Sequence, residues 1–191
     1  MENLLRGTKT ELALMNAFAG ESQARNRYTY FASIAKKEGY EQISAIFLET
    51  ADNEKEHAEV FYKLLGNCNA KVNAVYPIEL GTTIDNLRSA AAGEHEEWEH
   101  LYKESAEIAK EEGFREIAEA FLNVLEVEKI HEARYNKLIS NIKHNEVFKK
   151  PNEVDWKCRN CGRHLISFEA PQICPTCKHP QAYFEVASKN Y

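Results

Sequence analysis

The sequence predicts a mainly α protein, a bundle of four long helices followed by a small metal-bound β or loop domain. Three observations predict it. Proline is absent before Pro77 and again between Pro77 and Pro151, so long helices can run unbroken there. The two stretches that flank Pro77 repeat one another. Four of the five cysteines gather near the C-terminus as two C-x2-C pairs.

Each element follows in order. Thr8 with Glu11 makes a capping-box pattern that opens a helix over about 8–38. Gly39 closes it at a position that wants a left-handed backbone, and Gly66 and Gly113 close later helices in the same way. The second helix covers about 41–65. Residues 66–81 form a connection with little structure, long enough for a crossover. Thr82 with Asp85 opens a third helix over about 82–112, and a fourth runs over about 115–145. The bundle is therefore placed at 1–146, a linker at 147–155 and the Cys module at 156–191.

The chain has 191 residues, 43% hydrophobic and 28% charged, which suffices for one core and a small appendage. The net charge is -6 and no Lys/Arg block stands out, which argues against nucleic acid. No apolar run has the length of a membrane span. The opening "MENLLRGTKTEL" has no apolar leader, so a cytoplasmic protein is expected. Clustered Cys in that compartment read as metal ligands before disulfides. Cys68 lies apart, in the crossover, as a bystander thiol.

The repeat is visible in "AGESQARNRY" (19–28) against "AAGEHEEWEHLY" (91–102), and in "KKEGYEQISAIFLET" (36–50) against "KEEGFREIAEAFLNV" (110–124). It implies two similar helical hairpins packed as one bundle. Apolar positions then trace four inward stripes with alternating spacings of four and three. On the first lie Leu14, Ala17, Glu21, Ala24, Tyr28, Phe31 and Ala35. The second carries Ile43, Phe47, Thr50, Glu54, His57, Phe61 and Leu64. The third begins Leu87, Ala90, Glu94, Glu97. The fourth carries Ile117, Phe121, Val124, then Glu128, His131, Tyr135, Leu138 and Ile142.

Five carboxylates and two imidazoles thus face a core with no Lys or Arg on the same stripes. Burying bare carboxylates is costly, so cations must come from outside. Carboxylate with imidazole and no thiolate suits Fe or Mn better than Cu(I). A Glu and a His three residues apart share one helix face and can reach one ion or a close pair.

Gly20–Glu21 maps onto Gly93–Glu94 at an offset of 73, but Tyr28 maps onto Tyr102 at 74. One residue has been inserted between 94 and 102, and a π-type turn is its simplest accommodation inside a helix. Ala24 corresponds to Glu97, so the site should be asymmetric, with a spare carboxylate in one half.

"CRNCG" (158–162) and "CPTCK" (174–178) stand twelve residues apart. Four thiolates at this spacing make a tetrahedral site for zinc or iron.

Taken together, "AGESQARNRY", "ETADNEKEH", "AAGEHEEW", "EVEKIH" and the C-terminal "CRNCG" and "CPTC" resemble the rubrerythrin family over the whole chain. The resemblance implies a ferritin-like bundle with a rubredoxin-like module, and three Fe per chain. A di-iron site would be held by Glu21, Glu54, His57, Glu94, Glu97, Glu128 and His131. Glu54 and Glu128 would bridge, Glu94 and His131 would serve one iron, and Glu21 the other. That second iron would exchange Glu97, when oxidised, for His57, when reduced. The single iron would sit on Cys158, Cys161, Cys174 and Cys177. Tyr28 and Tyr102 recur beside the ligands, either as hydrogen-bond donors to carboxylates or as packing; with Glu97 and His57 they are the candidate catalytic residues.

The implied activity is reduction of hydrogen peroxide to water in oxidative-stress defence. Electrons would come from a reductase or a free rubredoxin using NAD(P)H, and would pass between subunits of a homodimer or larger oligomer. Ferroxidase and iron storage is the rival reading, which the appended Cys module argues against. A third reading makes the Cys site a structural zinc ribbon on a metal-holding bundle.

Overall fold

The computed structural model describes residues 2–69 and 71–190. A short helix α1 (Glu2–Leu5) precedes α2 (Lys9–Lys37), α3 (Glu41–Leu65) and α4 (Thr83–Glu96). A π-helical turn (Glu97–Leu101) joins α4 to α5 (Tyr102–Glu111), and α6 (Arg115–Lys143) completes the bundle. Four long rods with the expected boundaries are therefore present, the third of them interrupted where the inserted residue was inferred.

The caps follow the sequence signals. The Thr8 hydroxyl accepts the Glu11 N–H at 3.1 Å, while the Glu11 carboxylate reaches Gly7 N–H at 2.7 Å rather than Thr8. Gly39 and Gly113 have φ of 84° and 87°. At each, the next N–H bonds five residues back, Tyr40 to Ala35 and Phe114 to Ala109. This is the glycine-dependent stop that lets the chain reverse into a hairpin. α2 packs along α3, and α4 and α5 pack along α6. The link between the hairpins, from Gly66 to Thr82, forms no helix or strand among the described residues, and it leaves Val75 and Ile78 98% and 95% exposed.

The core forms two apolar layers with a polar layer between them. One layer holds Tyr28, Phe31, Phe47, Leu87, Tyr135 and Leu138. The other holds Leu14, Phe61, Tyr102, Phe121, Val124 and Leu125. Glu21, Glu54, His57, Glu94, Glu128 and His131 lie buried between. Toward the helix ends the stripes drift by one position. Leu65 and Ile139 are buried, whereas the expected Leu64 and Ile142 are half-buried. A 3.6-residue turn read with a 3.5-residue period drifts in this way.

The C-terminal module is a three-stranded antiparallel sheet in the order β2-β1-β3, with β1 at Lys149–Cys158, β2 at His164–Glu169 and β3 at Phe184–Val186. Most of the stretch 147–155 read as a linker is thus β1. Its pairing with β2 slips between Lys149 and Val154, around Pro151, which has no N–H for the ladder. Trp156 is fully buried beneath the sheet and donates its Nε1–H to the Ser167 carbonyl at 3.0 Å. The module rests on the α2–α3 turn, where Tyr40 and Phe148 stack with ring centroids 6.2 Å apart.

Candidate metal centres

Two clusters of ligating atoms share the polar layer. One comprises Glu21, Glu54, His57 and Glu128, the other Glu54, Glu94, Glu128 and His131; within each, the ligating atoms lie within 4.8 Å of one another. Glu54 and Glu128 belong to both, and their oxygens divide between them. His57 Nδ1 is 2.9 Å from Glu54 Oε2 and 2.9 Å from Glu128 Oε1. His131 Nδ1 is 3.3 Å from Glu54 Oε1 and 2.8 Å from Glu128 Oε2. Glu21 stands at the His57 side at 3.9 Å, and Glu94 at the His131 side at 3.6 Å. Two carboxylates thus offer one oxygen to each side, and each side has its own Glu and His. This is the layout of a buried di-metal site.

The orphaned atoms support that assignment. Glu54 Oε1, Glu94 Oε2, both oxygens of Glu128 and His131 Nδ1 are buried without a hydrogen-bond partner among the described residues. They crowd together, each within 4.8 Å of the other ligating atoms of its cluster. Such atoms are rare in native proteins and call for an explanation. Two divalent cations would satisfy them and would neutralise the four shared and terminal carboxylates.

The electrostatics agree. Burial, then Glu128 and Glu54, push Glu21 well above the usual carboxylate range; burial and Glu54 do the same to Glu94. Burial opposes the charge on Glu128, but the attraction of the His131 and His57 rings, 2.8 Å and 2.9 Å away, outweighs it and holds the carboxyl at about 2. Burial also lowers both imidazoles, and the carboxylates overcome it, raising His57 to about 9 and His131 to about 12. The site attracts positive charge strongly, and proton and metal would compete for it.

The tyrosines make crossed bonds to the carboxylates. Tyr28, from the helix of Glu21, donates its hydroxyl to Glu94 Oε1 at 2.6 Å; Tyr102, just past the helix of Glu94, donates to Glu21 Oε1. Asn53, which no sequence pattern singles out, accepts with its Oδ1 a hydrogen bond from His131 Nε2–H at 3.3 Å and so turns Nδ1 toward the cluster. Glu97 stands apart. It opens the π turn, is half-buried, and joins neither cluster. It lines a cleft beside them with Tyr76, Arg27 and Tyr102.

The four cysteines form a third cluster. Cys158 and Cys177 sulfurs are 3.7 Å apart, as are those of Cys161 and Cys174. The two turns match: Gly162 N–H bonds the Cys158 carbonyl at 2.8 Å, Lys178 N–H bonds the Cys174 carbonyl at 3.0 Å, and both Gly162 and Lys178 have positive φ. The His179 N–H holds Cys177 down to about 6, and the Cys177 N–H lowers Cys174. These backbone donors favour the thiolate at Cys174 and Cys177, the form that binds a metal. His179 packs against Tyr183 and joins no cluster.

Comparison with known proteins gives a consistent picture. Residues 13–139 match the Rubrerythrin family model, and residues 156–185 match that of the rubrerythrin rubredoxin-like domain. The chain is 52% identical to a rubrerythrin of Porphyromonas gingivalis, covering 100% of this chain and 96% of the relative. It is 55% identical to one of Clostridium perfringens, covering 98% of each. Among solved structures, fully reduced, all-ferrous nigerythrin superposes with a TM-score of 0.65 at 28% identity, covering 95% of this chain and 91% of that one. A bacterioferritin of Desulfovibrio desulfuricans shares the bundle fold, with a TM-score of 0.67 at 24% identity over 76% of this chain and 85% of that one.

Proposed function

The chain belongs to the rubrerythrin family, and on that footing we propose that it is a non-haem di-iron peroxidase: hydrogen peroxide, two electrons and two protons give two waters. The observation that carries the reading is the pairing, in one chain, of a buried carboxylate-rich di-metal site with a four-cysteine module.

The donor set suits Fe or Mn, and the all-ferrous state of the similar nigerythrin favours iron. Glu21, Glu54, His57, Glu94, Glu128 and His131 would hold the pair, with Glu97 as a further, exchangeable ligand. Ferrous iron supplies the two electrons the reaction consumes.

The remaining work falls to the protein. The aromatic layers on either side keep bulk water from the polar layer. Tyr28 and Tyr102 orient the terminal carboxylates through their hydroxyls. Burial, then Glu94 and Glu128, raise Glu97 well above the usual carboxylate range, so its carboxyl keeps a proton where the cleft meets the site. It is placed to give that proton to a departing oxygen.

The Cys site would deliver electrons one at a time, since four thiolates leave no open position for substrate. From the α2–α3 turn, where the module rests, to Glu54 is ~20 Å along α3 at the helical rise. Electron tunnelling falls steeply with distance, so transfer from the Cys site of a second subunit is the more effective path. The exposed apolar side chains of the crossover favour such self-association. A reductase or a rubredoxin would reload the site.

The test is a competition. The protein is reduced fully without oxygen and then mixed with peroxide or dioxygen, while the red ferric tetrathiolate colour is followed. Much faster return with peroxide supports the proposal. Faster return with dioxygen moves the assignment to an oxidase or ferroxidase, and a colourless Cys site that holds zinc removes the electron relay.

A further inference from the structure

A one-residue insertion can be taken up in any turn of a helix, and a π turn is an uncommon way of doing so. Here it spans Glu97–Leu101, closed by the Tyr102 N–H on the Glu97 carbonyl five residues back. A network outside the metal clusters holds it at that place. The Trp98 ring, half-buried in the turn, donates its Nε1–H to Glu132 Oε2 at 2.5 Å. His95 Nδ1, from the last turn of α4, lies 3.3 Å from the same oxygen, and its ring meets the indole edge-on with centroids 5.0 Å apart. Asn136 Nδ2 donates to the other oxygen of Glu132 at 3.2 Å. Lys103 of α5 and Lys129 of α6 bring their ammonium groups to 5.2 Å and 5.5 Å from the Trp98 ring centroid, within reach of cation–π attraction.

We propose that Trp98 and Glu132 are positioning residues: their hydrogen bond latches the π turn to α6 beside His131 and thereby fixes where Glu97 stands against the metal centre. The inference rests on the reading of Glu97 as a participant in the peroxide reaction. Two further observations support it.

First, the latch occurs only in the half that has the inserted residue. Offset by 74, Glu132 corresponds to Ala58, and Trp98 falls against Arg25 or Ala24 at offsets of 73 or 74. The first half thus has neither indole nor carboxylate at these places, and its α2 runs as one regular helix over Lys9–Lys37. Second, the latch joins the two sides by the shortest route along the chain. Glu97 precedes Trp98 and His131 precedes Glu132, so a bond between the second members restrains the separation of the first. The acceptor is charged, which makes the bond stronger than a neutral one. Taking up the extra residue one turn earlier would swing the indole by about 100° round the helix axis and off Glu132.

Amide hydrogen exchange, followed by mass spectrometry of peptides from the iron-loaded full chain, reads the latch; peroxide kinetics read its consequence. The variants are Trp98→Phe, Glu132→Ala, Glu132→Gln and the double variant of the first two. Losing a hydrogen bond to a charged, partly exposed group should speed exchange about tenfold in the peptide that spans Glu97–Leu101 and leave α2 and α3 as in wild type. The kcat for peroxide should fall severalfold, with KM and iron content in place. Adding Trp98→Phe to Glu132→Ala should change little more, because one bond serves both residues. Glu132→Gln, which keeps an acceptor, should lie between wild type and Glu132→Ala. Unchanged exchange in the turn, or faster exchange across the whole bundle, overturns the proposal, because the network would then be surface decoration or a general stabiliser. Faster exchange in the turn with an unchanged kcat overturns it too, since the latch would not govern Glu97. Trp98→Phe supplies the answer where Glu132→Ala does not fold. A wild type inert to peroxide defeats the peroxidase reading, and the exchange pattern then decides the latch by itself.

Discussion

Replacing Tyr102 by Phe keeps the ring and deletes one hydroxyl, which gives Glu21 its only hydrogen bond among the described residues. The ring is 2% exposed and packs against Phe61 and Phe121, with centroids 5.7 Å and 5.9 Å away, so the fold has little reason to move. With an ion bound, Glu21 is charged, and a hydrogen bond to a charged group contributes ~1.5–3 kcal/mol. At about 1.4 kcal/mol per tenfold, that predicts about 10- to 150-fold weaker binding of the ion on the Glu21 side. Without metal, burial favours neutral Glu21, and the bond is worth ~1 kcal/mol, or ~2–4 °C in melting temperature. The variant should therefore lose far more stability when loaded than when stripped. Ferrous-ion competition against a chelator and calorimetry of both forms measure the two quantities. Tyr135→Phe is the control. It is equally buried, but its hydroxyl makes no hydrogen bond among the described residues, because neighbouring Thr50 donates to Ile46 and accepts from Arg134. It should bind metal as wild type and melt no lower. If Tyr102→Phe keeps its metal affinity within twofold, the hydroxyl does not orient a ligand and the reasoning fails.

Glu97→Ala should leave the fold and most of the metal content intact while slowing peroxide turnover; unchanged turnover would remove Glu97 from the reaction. Cys161→Ser should abolish the red centre, while the chemically reduced bundle still reacts with peroxide in a stopped-flow mixing experiment. Loss of that reaction would show that the two parts do not work separately. A fourth prediction concerns acid. Glu112 accepts the Thr10 hydroxyl at 2.6 Å, Thr10 N–H at 2.9 Å and Lys9 N–H at 3.1 Å, capping α2 and lowering its own carboxyl below the usual range. A depressed folded value means that its stabilisation is present above the ordinary carboxylate pKa and is lost as pH falls through the depressed one. The melting-temperature gap between wild type and Glu112→Gln should therefore be widest near neutrality and close in acid; a gap independent of pH would rule this out.

What could be read from the sequence was whatever a helix repeats locally. Glu54, His57, Glu128 and His131 were identifiable because periodicity alone decides which side chains share a face. Pairing across the bundle was harder to read. Asn53 meets His131 only because α3 passes α6, and β1 was hidden by a polar, Pro-containing stretch whose partners lie in β2 and β3. Glu97 shows both limits in one residue. Its place on an inward stripe was legible, but its position outside both clusters depends on the π turn and on what the cleft offers it. The inserted residue is the most instructive case. In a regular α-helix, one extra residue rotates everything beyond it by about 100°. Tyr102 would then face away from Glu21, and Ala106 and Ala109 would leave the core. The π turn confines the insertion to five residues, Glu97–Leu101, so that Tyr102 mirrors Tyr28 although the spacings to Glu94 and Glu21 differ by one. The mismatch between the offsets of 73 and 74 recorded that turn in the sequence. Only a wider turn lets both halves keep a tyrosine on the opposite half's carboxylate while one of them also takes on Glu97.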